Sequence, residues 1–413
     1  MTLLHGAFRF IPQDEEQKLA WDLVQRIILD AASERSSDIH MEPCRGDCII
    51  RYRIDGVLRE ISRHSSSVLQ SVSKVLKKLG NMDPDVDQFP QDGKILCEIG
   101  LMRGENRVFD FRLSTFPTVS GEKVVMRILD PALVSSAIGG GFEAIGLRGD
   151  SAKKMQEILE KPFGLVIFSG PTGCGKTTTV YSSLTHIVGK TGGACNVMSL
   201  ECPVEYVLDG VTQTLVKPAE EFGYAQAMRA AMRQDPDIIS CAEISDLETA
   251  QAVVQAALTG HLVLAVLHAP DAPSAALRLS EIGIEPYLVP MALEGIVSQR
   301  LLRKICLNCA RPSELDPVAK EAFEETAAPV PIYYKGAGCE QCRGSGYRGR
   351  TGVYEILPRD NHILGLIAQS ASPEEIRQEM LRLGCPTLRQ AALQLAAEGV
   401  TTVEEALRAT AGV

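Results

Sequence analysis

Between residues 14 and 34 apolar side chains recur at helical spacing: Leu19, Leu23, Ile27 and Ala31 form a stripe, widened by Trp21 and Val24, and predict an amphipathic helix. From about Cys48 the period shortens. "CIIRYRIDGVLREI", "KILCEIG", "RVFDFRLSTFP" and "KVVMRIL" alternate or cluster β-branched residues between Gly and Pro punctuation as far as Ile128, which predicts strands joined by turns. Residues 1–130 are therefore expected to form an α+β domain on an antiparallel sheet. At "DPALVSSAIGGGFEAIGL" Pro131 and the glycines Gly139, Gly140 and Gly141 interrupt both periods, so residues 131–145 are expected to be a linker.

Beyond it, short apolar runs alternate with helical ones: "GLVIFSG", a helix beginning near Lys176, "CNVMSLE", "PDIISCAE", the helix "LETAQAVVQAAL", "HLVLAVLH" and "APSAALRLSEI". Apolar strands separated by helices predict a parallel sheet covered on both faces, an α/β domain over residues 146–413. After Arg350 the pattern is mostly helical: "SPEEIRQEMLRLG" and "VTTVEEALRAT" each offer a Ser or Thr N-cap with Glu following, so 351–413 is expected to be a helical C-terminal region.

Composition changes this picture little. At 413 residues, 45% hydrophobic and without low-complexity tracts, the chain can build two large cores. The start, "MTLLHGAFRFIPQDEE", lacks a basic segment followed by a long apolar run, and nowhere is there an uninterrupted apolar stretch of about 18 residues; a soluble cytoplasmic protein is expected. The net charge of -10 argues against a generic nucleic-acid coat. In "RGDCIIRYRIDGVLREISRHSSSVLQSVSKVLKK" Arg and Lys outnumber the acids, which reads either as a solvated face or as a contact surface for phosphate or an acidic partner.

Twelve cysteines are many for a reducing compartment, where disulfides do not persist. Cys306 and Cys309 in "CLNC" and Cys339 and Cys342 in "CEQC" make two CxxC knuckles about thirty residues apart. Two such turns offer four thiolates to one tetrahedral Zn²⁺ with no open position, so a structural zinc element is expected over 300–350, with a small excursion between its halves. Cys44, Cys48, Cys97, Cys174, Cys195, Cys202, Cys241 and Cys385 read as packing residues.

"GPTGCGKT", Gly170 to Thr177, matches GxxxxGK[ST] between an apolar strand and a helix, the context that makes the match specific. Glycines let Gly170, Pro171, Thr172, Gly173, Cys174 and Gly175 turn backbone N–H groups toward phosphates, and the helix N-terminus adds partial positive charge. Lys176 is expected to reach the β- and γ-phosphates and Thr177 to supply a hydroxyl to Mg²⁺. Strand edges supply the other candidates: Glu243 in "DPDIISCAEISD", positioned to activate the attacking water, with Asp237 at the strand's start; Glu201 in "SLECPVEY"; and His261 and His268 bracketing "LVLAVL".

The segments "SSDIHMEP", "RYRIDGVL", "PQDGKI", "FRLSTFPTVSGEKVVMRIL", "GPTGCGKTTT", "RQDPDIISCAEISDLETAQ", "ALTGHLVLAVLH", "QRLLRKIC" and "YRGRTGVYEIL" resemble, in order from about Asp14 to beyond Leu357, the type II secretion and type IV pilus assembly ATPases. The resemblance implies a RecA-like P-loop NTPase domain preceded by an α+β sensor-like domain. It implies a homo-hexameric motor, with ATP between the two domains and their reorientation driving pilin or pseudopilin assembly through an inner-membrane platform protein. Such a motor is peripheral to the membrane, held there by protein partners. By residue, the resemblance makes Gly170 to Thr178, including Thr178, the Walker A loop. Glu201 becomes the acid of the aspartate box, Glu243 the Walker B glutamate, and His261 and His268 the histidine box. Arg112 and Arg127 match the N-domain arginines that approach the phosphates, where an arginine neutralises charge spreading over the γ-phosphoryl group. The cofactors implied are ATP, Mg²⁺ and Zn²⁺. The tetracysteine pair and "QRLLRKIC" resemble assembly motors more than retraction motors. The extra N-terminal domain of many secretion members is not expected, since the match begins near residue 14.

Three departures qualify the resemblance. Glu201-Cys202-Pro203 stands where the family reads Glu-Asp-Pro, Ala242-Glu243-Ile244-Ser245-Asp246 where it reads Gly-Glu-Ile-Arg-Asp, and Ala269-Pro270-Asp271 where it reads Thr-Asn-Asp. An acid lost at 202 and a base lost at 245 are consistent with one dropped charge interaction, and an active or slow ATPase is expected. The alternative is a nucleotide-binding structural subunit that hydrolyses little. A nucleic-acid translocase on the same core is opposed by the acidic balance and by the lack of aromatics interleaved with basic residues, so no direct nucleic-acid contact is expected.

Overall fold

In a computed structural model, which describes residues 3–4, 12–100, 106–218, 221–315, 317–324 and 333–412, the chain divides into two units, Met1–Val134 and Ser135–Val413. Most of the N-terminal segment read for a leader lies outside the described residues. Among them, no helix is long and apolar enough to cross a membrane.

The first unit runs β1 (Leu3–Leu4), α1 (Glu15–Ser33), β2 (Asp38–Cys44), β3 (Asp47–Ile54), β4 (Val57–Ser65), α2 (Ser66–Leu79), β5 (Gln91–Gly100), β6 (Asn106–Thr118) and β7 (Gly121–Leu129). Its sheet is antiparallel throughout, in the order β1-β5-β6-β7-β2-β3-β4. Helix α1 starts where Asp14 accepts the Gln17 N–H at 2.7 Å. Its buried face is Ala20, Val24, Ile27, Ile28, Ala31 and Ala32, whereas Leu19 is 68% exposed. The expected i+4 row is corrected for a geometric reason: each step of four residues overshoots a turn by about 40°, so a straight run of such steps leaves the core face. The inner face of β6 (Phe109, Phe111, Leu113) is buried with α1 and α2 in one core. The alternate positions Arg112, Ser114 and Phe116 fall on the other face.

The segment expected as a linker carries α3 (Pro131–Gly139) and the single turn α4 (Gly141–Ala144). Asp130 accepts the Ala132 N–H at 3.0 Å ahead of Pro131, a capped helix start with proline in its first turn.

The second unit continues α5 (Gly149–Leu159), β8 (Gly164–Ser169), α6 (Lys176–Thr191), β9 (Val197–Glu201), β10 (Thr212–Leu215), α7 (Tyr224–Ala231), β11 (Ile238–Cys241), α8 (Leu247–Leu258), β12 (Leu262–Leu267), α9 (Ala272–Ile282), α10 (Leu288–Ala292), β13 (Leu293–Ile305), β14 (Ala310–Ser313), α11 (Pro317–Glu324), β15 (Tyr333–Gly336), β16 (Tyr347–Pro358), α12 (Asn361–Ala368), α13 (Pro373–Arg382), α14 (Leu388–Ala397) and α15 (Val403–Ala409). The sheet order is β10-β9-β11-β12-β8-β13-β16, parallel except for the antiparallel edge strand β16. Every residue of β8, β9, β11 and β12 is buried, as a sheet covered on both faces requires. The region after Arg350 is helical only beyond Pro358, because β16 must first pair with β13.

The register puts the carboxyl ends of β8, β9, β11 and β12 on one edge: Ser169 pairs with Leu267, and Cys241 with both Ala265 and Leu200. Strand β13 is longer than β8 and runs past it, since Ser298 is level with Ser169 while β13 continues to Ile305.

Candidate nucleotide site and tetracysteine element

The loop after β8 turns on glycines. Gly170, Gly173 and Gly175 have φ of 143°, 77° and 93°, a region costly for side chains with a Cβ. At Gly170 a Cβ would also lie 2.7 Å from the Gln299 carbonyl oxygen. Helix α6 begins at Lys176 with no acidic residue in its first turn, so the positive end of its dipole is uncompensated there. Lys176 is 9% exposed, and its Nζ donates to the carbonyls of Gly170 (2.7 Å) and Pro171 (2.9 Å). Burial pulls its pKa below the ordinary lysine value, and the nearby Arg300 pulls the same way. A lysine held this way gains by exchanging carbonyls for phosphate oxygens. Thr177 and Thr178 lie partly buried in the same turn.

Two residues that local reading missed support this loop. Gln299 donates from Nε2 to the Cys174 carbonyl at 2.7 Å, and among the described residues its Oε1 is buried without a partner. Tyr354 on β16 meets Thr179 Oγ1 at 3.3 Å and donates to the Ile145 carbonyl at 3.0 Å. Gln299 reaches the loop, and Tyr354 the first turn of α6 behind it, from strands more than a hundred residues downstream. "QRLLRKIC" and "YRGRTGVYEIL", which contain them, stand out in the sequence only as segments resembling the family, with no role for either residue.

Glu243 follows β11 and His268 follows β12, and these half-exposed side chains approach each other, Nε2 to Oε1, at 3.8 Å on the edge that carries the glycine loop. Glu201, at the same edge, is different in kind. It is 3% exposed; Oε1 accepts from Ser199 Oγ and Gln213 Nε2, each at 2.8 Å, and Oε2 from the Tyr181 hydroxyl. With both oxygens engaged, Glu201 ties α6, β9 and β10 together.

His261 is not brought to the loop of its own chain. It precedes β12, whose first residue, Leu262, pairs with Gly164 at the start of β8; the six residues of β12 put it about 20 Å from the other edge. Its Nδ1 lies 3.0 Å from the Ala256 carbonyl. Asp237 is at that far edge too, accepting the Asn196 N–H at 2.7 Å. Within one chain, then, a strand separates His261 from His268.

In the first unit Arg112 and Arg127 are direct cross-strand partners, flanked in the same row by Lys94, Asp38 and Arg53. Arg127 has Asp38 at 3.2 Å. Among the described residues no carboxylate stands within ion-pair distance of Arg112. Like charges directly opposite are unfavourable, and a bound anion would relieve them.

The two CxxC turns converge. Sγ of Cys306 is 3.9 Å from that of Cys339, Cys309 is 3.8 Å from Cys342, and Cys339 is 3.7 Å from Cys342; all four sulfurs lie within 4.8 Å of one another. Four sulfurs about 2.3 Å from a tetrahedral zinc are separated by about 3.8 Å, so the donor set fits that ion. Burial raises the Cys342 pKa, but N–H groups of Cys339 (3.1 Å) and Gly346 (3.2 Å) aimed at its sulfur outweigh this and bring the thiol down to about 6. Asn308 likewise donates to Cys339 Sγ at 3.4 Å. The excursion between the knuckles contains the hairpin of β14 and β15 as well as α11.

Residues 13–408 match the family described as type II/IV secretion system protein. The chain is 38% identical over 409 residues to type II secretion system ATPase E of Vibrio cholerae, covering 97% of this chain and 78% of that one. To type IV pilus assembly ATPase PilB of Myxococcus xanthus it is 39% identical over 408 residues, covering 96% and 70%. Two solved structures share the fold: the Legionella pneumophila ATPase DotB, with a TM-score of 0.66 at 18% identity over 95% of this chain and 96% of that one, and the pilus retraction motor PilT with bound ADP, with a TM-score of 0.57 at 24% identity over 94% and 96%.

Proposed function

Because the chain belongs to the type II/IV secretion system protein family, we propose that it is a cytoplasmic, ATP-hydrolysing motor of the assembly type, powering the building of a type IV pilus or type II secretion pseudopilus through an inner-membrane platform protein. It works as a homo-hexamer, peripheral to the inner membrane through protein partners, and does not contact nucleic acid directly. Gly170 to Thr178 hold the phosphates of ATP, Lys176 neutralises the β- and γ-phosphates, and Thr177 ligates Mg²⁺. Glu243 orients the attacking water, with His268 beside it. Arg112 and Arg127 serve the phosphates in the assembled motor, and His261 serves an edge other than that of its own loop. Residues 1–130 act as the sensor-like domain and 146–413 as the motor domain, joined through 131–145. Zinc on Cys306, Cys309, Cys339 and Cys342 supplies no chemistry to hydrolysis; it fixes the fold of residues 300–350.

The observation that supports this reading best is the meeting, at one sheet edge, of a glycine loop with a buried lysine and the Glu243–His268 pair. Steady-state Mg-ATP hydrolysis by the oligomeric protein tests it: wild type should turn over, and Lys176→Ala and Glu243→Gln should each lose at least about 100-fold. A second reading, a nucleotide-dependent scaffold, is favoured by Cys202 and Ser245 where the family carries charge. It predicts equal silence from all three proteins with ATP still bound by wild type.

A further inference from the structure

Arg300 is the next residue of β13 after the Gln299 that braces the loop, and it serves no role assigned above. Nη1 donates to the Gln299 carbonyl at 3.0 Å and Nη2 to the Pro270 carbonyl at 2.6 Å. A Cβ built on Gly170 would lie 3.5 Å from Nη1, so the guanidinium rests against the first turn of the phosphate loop. It is partly buried, and its charge depresses the pKa of Lys176. Elsewhere in this unit Arg303, Arg359 and Arg377 meet carboxylates at 2.6, 3.0 and 2.5 Å. Among the described residues Arg300 has no carboxylate within ion-pair distance; Glu355 and Asp271 act on it only from farther away.

A cation withdrawn from water beside a second cation, with carbonyls as its only hydrogen-bond partners among the described residues, is an arrangement that an anion would complete. Two of its five N–H groups are engaged here, which leaves three to donate. We propose that Arg300 binds the terminal phosphate of ATP from within the same chain and carries its presence to the loop after β12. The second half follows from the Pro270 contact: Pro270 lies between His268, which faces Glu243, and Asp271, which caps α9 and pairs with Arg377 of α13. A guanidinium drawn toward the γ-phosphate draws on that loop, so occupancy of the site by ATP and not ADP is felt at the Glu243–His268 pair.

The proposal rests on Gly170 to Thr178 being the phosphate loop, and the test separates the two. Affinities of the full chain for Mg-ATPγS and Mg-ADP are measured for wild type, Arg300→Gln, Arg300→Lys and Lys176→Ala. Arg300→Gln should weaken ATPγS about tenfold or more, the size of a lost charge-assisted contact, and change ADP by less than about twofold. Equal weakening of both nucleotides, or of neither, overturns the proposal in favour of a structural prop. Should the glutamine variant not fold, Arg300→Lys decides by the same ratio: it keeps a cation without the fork, so the preference for ATPγS must fall, and an unchanged preference overturns the idea. Retention of both nucleotides by Lys176→Ala overturns the phosphate-loop reading, and the proposal with it.

Discussion

Glu355 should make the second unit less stable as pH rises. The residue lies on β16, 1% exposed. Its Oε1 accepts the Ala272 N–H at 2.6 Å and its Oε2 the Leu388 N–H at 2.9 Å, so one carboxylate closes the first turns of α9 and α14. Burial pushes its pKa up from 4.5 to about 7; the two N–H donors resist, nearby Asp271 adds to the rise, and Arg377 opposes it. The unfolded chain therefore loses this proton first. Between pH 4.5 and about 7 the folded state holds more of it, so stability is present in full below 4.5 and declines as pH climbs through the folded value. A difference of about 2.5 pH units corresponds to about 3 kcal/mol. Glu355→Gln removes the ionisation while keeping the shape of the protonated acid. Its stability relative to wild type should rise by about 3 kcal/mol between pH 4.5 and pH 8, about 1 M in urea midpoint for an m of about 3 kcal/mol/M. The far-UV circular dichroism transition measures this, and the control is internal: Trp21, the sole tryptophan, lies in the first unit, so its fluorescence transition should respond equally in both proteins. Parallel pH profiles for variant and wild type would refute the reasoning.

Protein purified without chelator should carry one zinc per chain by elemental analysis, and Cys342→Ser, which removes the sulfur that receives two backbone N–H groups, should lose it and expose residues 300–350 to protease; a metal-free, protease-resistant wild type would contradict the zinc assignment. Glu201→Gln turns an acceptor toward three donors into a partial donor and should destabilise the second unit by about 2–3 kcal/mol, with nucleotide affinity falling as the α6 frame loosens. Unchanged stability would mean that Gln213 and Tyr181 find other partners.

What could be read along the chain is what depends on neighbours in sequence. The strands β8, β9, β11 and β12, the helix α8 and the glycine loop announce themselves because their patterns are local and their burial is uniform. The α1 stripe was legible in kind, and its buried edge was set by which residues α2 and the sheet meet. Strand β2 was missed because Pro43 and Asp38 at its ends resemble loop residues, and only pairing with β3 and β7 makes it a strand. The signal for α3 was present in Asp130-Pro131 but was outweighed by the glycines after it. Gln299, Arg300, Tyr354 and Glu355 belong to a different class. Each acts on a segment tens to hundreds of residues away, and although "QRLLRKIC" and "YRGRTGVYEIL" stand out as segments, nothing local gives these four residues their roles, because those come from β13 and β16 lying side by side next to β8.

The same distinction bears on the departures from the family pattern. Cys202 and Ser245 are both exposed, and Ser245 Oγ donates to Asp246 at 3.2 Å while Asp246 caps α8 through the Thr249 N–H at 2.8 Å. An ion pair lost from an exposed edge costs about 0–1 kcal/mol, and no buried charge is left without a partner by these two changes. Where Pro270 replaces an asparagine, its carbonyl still receives Arg300, and Asp271 keeps both its capping role and Arg377. The groups whose loss would be expensive, Lys176 under its loop and Glu201 among its three donors, are those retained. The altered positions therefore leave the frame of the site intact, and what they change falls on the exposed groups around them, Glu243 and His268 included, which approach each other at 3.8 Å.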